Sequence, residues 1–260
     1  MTKADVLKVA FIQFNIEWEN DSANLLRLSS IINNSAATFD LLVLPEMFHC
    51  GFTMKPQNSA QTMDGPVIQW MKATAALKQC AICGGVVVVE DGQYYNRLIF
   101  VEPNGEIQFY NKRHLFRMSG EHEIYKAGSS QVGIDFKGWR IMPLICYDLR
   151  FPVWSRNVSN CDLMIYIANW PTPRRDAWNI LLKARALENQ CYVMGVNRVG
   201  SDPFVTYSGD SAVIDAKGVA SDEAFDNVDV LHVVDLERNT LEVFRTRFPV
   251  LLDRDEFKII

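Results

Sequence analysis

The apolar positions of this chain come in short runs whose period keeps changing. Val6–Ile16 reads as a strand. Behind Asp21 and Ser22, two helix-capping residues, Leu25, Leu26, Leu28, Ile31 and Ile32 recur at helical spacing. Leu41–Leu44 is wholly apolar, as in a strand covered on both faces, and stops at Pro45-Glu46. Asp64-Gly65-Pro66 opens a second helix to Gln79, with Val67, Ile68, Met71, Ala75 and Leu77 as its core face. Gly84–Glu90 is a third buried strand.

Tyr94–Val101 and Ile107–Tyr110 flank Pro103-Asn104-Gly105, a hairpin signal. A second hairpin pairs Gln131–Phe136 with Trp139–Ile145 around Lys137-Gly138. Pro152 suits a first helical turn, so a helix is expected from there to Ser159. The strand Asp162–Ala168 follows, then a helix Ala177–Asn189 with Ile180, Leu181, Ala184 and Leu187 on its core face. Tyr192–Asn197, Ser211–Asp215 and Asp229–Asp235 are further strands, and a charged helix runs from Glu237 to Arg247. Strands alternating with helices, interrupted by hairpins, predict an α/β fold with mixed sheets and outer helices. No linker or repeat divides the chain, so residues 1–260 are expected to form a single domain.

Composition narrows the function. The chain of 260 residues carries a formal net charge of -5 and no basic tract, which gives no support for nucleic-acid binding. No apolar run is long enough for a membrane span. The opening MTKADVLKVAFIQF lacks the features of an export signal, so a cytoplasmic protein with reduced cysteines is expected. Cys80 and Cys83 form a C-x-x-C pair with no second pair at zinc-finger spacing, and read as core. His49, His114, His122 and His232 are scattered, without ligand spacing. No metal or cofactor is expected.

Cys146 sits in IMPLICYDLRFP, at the end of an apolar strand and the start of an abrupt turn. A nucleophile placed there is held at a sheet edge, with a following backbone N–H free to face an anion. Taken alone, a cysteine of this kind is more often plain core. Glu46 and Lys112 also follow strands, where α/β sheets build their sites. A carboxylate directly after an apolar strand and a proline is a candidate base. Asp148, next to the nucleophile, is expected to brace the turn.

Glu46 in LVLPEMF, Lys112 in YNKRHLF and Cys146 in LICYDLRFP occur in the order found in the nitrilase superfamily of carbon–nitrogen hydrolases, which the chain closely resembles. The resemblance is to its omega-amidase branch, and ANWPTPRRDAW, KARALENQ, GVNRVG and YSGDS extend it over essentially the whole chain. It implies a four-layer α-β-β-α sandwich, with Glu46 as base, Lys112 as oxyanion partner and Cys146 as nucleophile. It adds Glu121, in SGEHEIYKAG, as an auxiliary acid, with Glu123 as the competitor. The backbone N–H of Tyr147 is expected to be the second oxyanion donor. The implied substrates are small dicarboxylic acid monoamides: 2-oxoglutaramate, 2-oxosuccinamate or succinamate. A homodimer stacked near the Cys146 and Ala177–Asn189 segments is also implied, with residues 248–260 a candidate for packing across the partner.

A substrate carboxylate calls for arginine, whose planar fork matches both oxygens. Arg150 is the first candidate, with Arg174 and Arg175 on a later loop. Asn169 and Trp170 follow a strand and are candidate contacts. Phe48, Phe116, Tyr125 and Trp178 are further wall candidates. A nitrilase or N-carbamoyl hydrolase on the same three residues, a Cys–His thiol hydrolase and a non-catalytic scaffold are the alternative readings.

Overall fold

The computed structural model describes residues 4–221 and 225–259. Met1–Lys3 and Ile260, at the ends of the expected domain, lie outside the described residues. The chain begins with β1 (Val6–Gln13), α1 (Asp21–Asn34), β2 (Leu41–Val43), α2 (Pro66–Lys78) and β3 (Ala81–Glu90). The hairpin β4 (Gln93–Val101) and β5 (Ile107–Asn111) follows, then the short helix α3 (Glu121–Ile124). Next come β6 (Ile134–Phe136), β7 (Trp139–Ile145), β8 (Leu163–Ile167), α4 (Arg175–Asn189) and β9 (Tyr192–Val196). The chain closes with β10 (Val199–Ser201), β11 (Thr206–Ile214), β12 (Phe225–Asp226), β13 (Val230–Glu237) and α5 (Arg238–Arg247).

The strands form two sheets. One runs β13-β1-β2-β3-β4-β5 and the other β10-β11-β9-β8-β7-β6, with β12 pairing β11. Each is built around a parallel trio, β1-β2-β3 or β7-β8-β9, with antiparallel strands outside it.

The period of two sorts the first sheet's side chains onto opposite faces. Val9 and Phe11 of β1, Leu41 and Val43 of β2, and Leu98 and Phe100 of β4 face the second sheet. Their neighbours Ala10, Ile12, Leu42, Ile99 and Val101 pack under Leu28 and Ile32 of α1 and Val67, Ile68 and Met71 of α2. The second sheet is covered on its outer side by Trp178, Leu182 and Ala186 of α4 and Leu241 of α5. The result is the expected α-β-β-α sandwich. Cys83 belongs to the core between the sheets and Cys80 to the one under the helices, so the C-x-x-C pair is divided.

Three expectations are corrected. No helix runs from Pro152 to Ser159; a 3-10 turn occupies Cys146–Arg150 and irregular backbone follows. Side chains take the backbone partners a helix would have used. The Asn157 N–H donates to Asn189 Oδ1 at 2.8 Å, and the Asn189 amide donates to the Ser155 carbonyl at 3.1 Å. In α4 the buried stripe is Trp178, Leu182, Arg185 and Ala186, while Ile180 and Leu187 are 66% and 51% exposed. A stripe drawn through aliphatic residues alone missed it, because Arg185 is buried with Nη2 on the Leu149 carbonyl at 2.6 Å. Leu77 of α2 is likewise exposed.

Candidate active site

The ends of four strands supply the site: Glu46 after β2, Lys112 after β5, Cys146 after β7 and Asn169 after β8. Glu46 is fully buried. Its loop lies against β3, where Gly85 donates to the Pro45 carbonyl at 3.1 Å and accepts from Phe48 at 3.1 Å. A Cβ on Gly85 would stand 2.7 Å from both the Glu46 Cα and the Met47 nitrogen, so only glycine allows this approach. Gly85→Ala is expected to cost about 1–3 kcal/mol and to lower kcat by displacing Glu46. Denaturant unfolding and amide turnover check both effects; unchanged stability would contradict the close packing.

Lys112 is buried beside Glu46. Its Nζ donates to Glu46 Oε1 at 2.8 Å and to Glu121 Oε1 and Oε2 at 3.1 and 2.9 Å. Glu123, the competitor, points outward with a side chain 76% exposed. Asn96 of β4 closes the cluster, its amide donating to Glu46 Oε1 at 2.7 Å and Glu121 Oε1 at 2.9 Å. Glu46 Oε2 accepts from the Asn169 backbone N–H at 2.8 Å, and the Asn169 amide also holds the Glu46 carbonyl at 2.6 Å. Asn96 was not among the sequence candidates. β4 also carries Gln93 and a buried Arg97, so the strand's pattern does not single Asn96 out.

Two carboxylates against one ammonium set the electrostatics. Burial alone would lower the Lys112 pKa, but Glu121 and Glu46 outweigh it and hold the pKa well above the ordinary lysine value. The ammonium is therefore a fixed charge, not a proton shuttle. Burial raises the Glu121 carboxyl, with Lys112 pulling it down and Glu46 pushing it up.

Cys146 begins its turn at φ 44, in the left-handed region that side chains other than glycine rarely adopt. Asp148 holds the turn in place. Its Oδ2 accepts from the Ile145 N–H at 3.1 Å and the Tyr110 hydroxyl at 2.8 Å. Its Oδ1 accepts from the His114 N–H at 3.0 Å and lies 2.7 Å from His114 Nδ1. Asp148 thus pins the Cys146 turn to the segments on either side of Lys112. Burial first, then the Glu46 carboxylate, push the Cys146 thiol well above its ordinary pKa; Lys112 pulls it down but is outweighed. Tyr147 is the second residue of the turn, where a backbone N–H has no partner within the helix.

Cys146, Lys112 and Asn169 open on a cavity of about 550 Å3, also lined by Phe52, Phe116, Trp170, Arg174 and Tyr207. Arg150, the first arginine candidate, does not line it. With three residues per revolution, Arg150 stands about 120° round the turn from Cys146. It is exposed, its guanidinium 5.0 Å from the centre of the Trp170 ring. Arg175 pairs with Asp210 at 2.5 Å. Arg174 does line the cavity, 5.1 Å above the Phe116 ring, and forms no ion pair among the described residues. Of the wall candidates, Phe116 and Trp170 line the cavity, whereas Phe48, Tyr125 and Trp178 are packed in the core.

Among the described residues one group, Asp21, His49 and Cys50, clusters like metal ligands. It is strung across both nitrogens of one ring: Nδ1 is 3.1 Å from Asp21, while Nε2 accepts from the Val87 N–H at 3.1 Å and is 3.6 Å from Cys50 Sγ. The ring thus stands between the other two, already bonded to the Val87 N–H. Neither His49 nor Cys50 lines the cavity, so this contact offers nothing to a Cys–His hydrolase reading.

A model of the carbon-nitrogen hydrolase family matches residues 8–246, and the chain belongs to that family. It is 44% identical over 256 residues to the omega-amidase YafV of Escherichia coli strain K12, covering 97% of this chain and 98% of that protein. A 2-oxoglutaramate amidase of Bacillus subtilis is 35% identical over 215 residues, 81% of this chain and 83% of that one. The fold matches XC1258 of Xanthomonas campestris, a CN-hydrolase superfamily protein solved with an arsenic adduct in its active site. The TM-score there is 0.96 at 38% identity, covering 99% of this chain and all of that one. No helix among the described residues is long and apolar enough to cross a membrane.

Proposed function

We propose that the protein is an omega-amidase, releasing ammonia from the terminal amide of small dicarboxylic acid monoamides such as 2-oxoglutaramate, 2-oxosuccinamate and succinamate. The observation that carries this reading is the cavity's charge. Beyond the buried Glu46–Lys112–Glu121 cluster, its acids are spent internally. Glu19 accepts from Thr53 and Asn58 at 2.5 and 3.2 Å, and Asp202 accepts from Phe204 and Tyr207 at 2.8 and 2.5 Å. Arg174 and Lys55 have no carboxylate partner among the described residues. A substrate anion supplies one.

In this reading Glu46 takes the thiol proton as Cys146 adds to the amide carbonyl. The raised thiol pKa makes that transfer part of the attack and not a prior ionisation. The oxyanion meets the Lys112 ammonium and the Tyr147 N–H, each such donor being worth about 3–4 kcal/mol. Glu46 returns its proton to the departing ammonia, and a thioester remains on Cys146. Water, activated by Glu46, then releases the acid. Glu121 and Asn96 hold Lys112 and Glu46 in register.

Arg174→Ala is expected to lower kcat/KM for succinamate about 10- to 100-fold, the worth of a charge-assisted hydrogen bond, and to leave neutral butyramide far less affected. Equal losses on both substrates would remove the carboxylate clamp.

A homodimer is part of the same proposal, supported by exposed Val153, Val158, Ile180, Leu187, Phe248 and Leu252 near α4 and the chain's end. Sedimentation at the mass of one chain would count against it.

A further inference from the structure

We propose that the cavity contains a second, outer subsite that takes a flat apolar group carried on the amide nitrogen, so that the protein also hydrolyses N-substituted monoamides. This rests on the amidase reading above. The cavity is too large for the small substrates alone. 2-Oxoglutaramate has about ten heavy atoms, and even at the ~30 Å3 a water takes in the liquid these fill about 300 Å3. The cavity measures about 550 Å3, a volume typical of sites for larger ligands.

The unfilled part has its own chemistry. Two aromatic contacts lie in the lining, which also holds Phe52, Trp170 and Tyr207: Phe116 lies under Arg174, and Trp18 packs edge-on against Phe204 with ring centres 5.9 Å apart. No ring contact joins one grouping to the other among the described residues. Phe204 lines the cavity yet is 80% exposed. The turn that presents it is braced: Asp202 Oδ1 accepts from the Phe204 and Val205 N–H groups at 2.8 and 2.9 Å, and Oδ2 accepts from the Tyr207 hydroxyl at 2.5 Å. The ring is therefore held at the mouth, beside Trp18, Met54 and Pro203, as an unfilled apolar wall.

A carboxylate on Arg174 commits the acyl end of the substrate to the Phe116 side. The group that meets Trp18 and Phe204 then hangs from the other end, the amide nitrogen. The reaction is unchanged in its balance. The Cys146 Sγ–carbon bond forms as the thiol proton passes to Glu46. The carbon–nitrogen bond then breaks, and the nitrogen leaves with that proton as a free amine. Water hydrolyses the thioester.

The test compares succinamate with N-benzylsuccinamate, reading ammonia and benzylamine. Wild type is expected to release benzylamine, and Phe204→Ala and Trp18→Ala to lower kcat/KM for the benzyl amide about tenfold more than for succinamate, the worth of an apolar group in a pocket. Turnover of succinamate without benzylamine release would overturn the subsite and leave the amidase reading standing. Turnover of neither would overturn both. Equal losses on the two substrates in both variants would overturn the aromatic wall. A Phe204→Ala protein that changes its oligomeric mass with an unchanged substrate ratio would reassign the ring to a subunit contact.

Discussion

Cys146→Ala is expected to abolish amide turnover, lowering kcat by at least about 10,000-fold, while the protein keeps its melting temperature within a few degrees. The two halves of this expectation have separate grounds. Cys146 is the sole cysteine that lines the cavity among the described residues; Cys50, Cys80, Cys83, Cys161 and Cys191 are all buried in packing positions. In the proposed mechanism loss of the Cys146 thiol leaves the carbon–nitrogen bond no covalent route, and Lys112 and Tyr147 only a weakly attacked carbonyl to stabilise. Stability depends little on the sulfur. Cys146 is only partly buried, its turn is held by Asp148, and alanine meets the same left-handed backbone that cysteine does. Ammonia release and thermal unfolding measure the two halves. Turnover within a hundredfold of wild type would sink the nucleophile assignment. A collapsed melting temperature would show instead that the thiol holds the turn together.

That Glu46, Lys112 and Cys146 come together was legible because each sits just past an apolar run, and α/β sheets build at such ends. Glu46 after Leu41–Leu44 and Cys146 after Trp139–Ile145 could be picked from pattern, and the order of the motifs joined them to Lys112. Other parts were hidden for physical reasons. Asn96 acts from the middle of a strand, and nothing in YYNRLIFV says which of its polar side chains turns inward. Arg150 was preferred over Arg174 because it is near Cys146 in sequence. A tight 3-10 turn rotates it away, while the loop after β8 brings Arg174 across a longer stretch of chain. The missing helix after Pro152 and the misplaced stripe on α4 share a cause. Buried polar side chains, Asn157, Asn189 and Arg185, satisfy backbone groups there, and hydrophobic periodicity carries no signal for that.

Lys112→Met is expected to destabilise the protein by about 3–5 kcal/mol near neutral pH, because it leaves Glu46 and Glu121 buried without their counter-ion. In the native cluster the single ammonium touches three carboxylate oxygens within 3.1 Å, and Asn96 is the one neutral donor shared by both acids. Without Lys112 the two acids repel each other in a site that already disfavours charge, so their folded pKa values rise above the unfolded carboxylate value of about 4.3. A carboxylate raised in this way contributes stability that is fully present below its unfolded pKa and lost as pH rises through its folded one. The deficit of Lys112→Met relative to wild type should accordingly be smallest near pH 5 and grow toward pH 8, the slope being read from melting temperatures of both proteins. A second change, Glu121→Gln, should remove part of it. Activity is expected to behave differently. Loss of the proposed oxyanion donor is expected to cost about 100- to 1,000-fold in kcat, and acidification, which restores the fold, does not restore an ammonium. A deficit that is flat with pH would mean the lysine is not what neutralises the pair. Activity that recovers along with stability at low pH would mean Lys112 serves the fold and not the reaction.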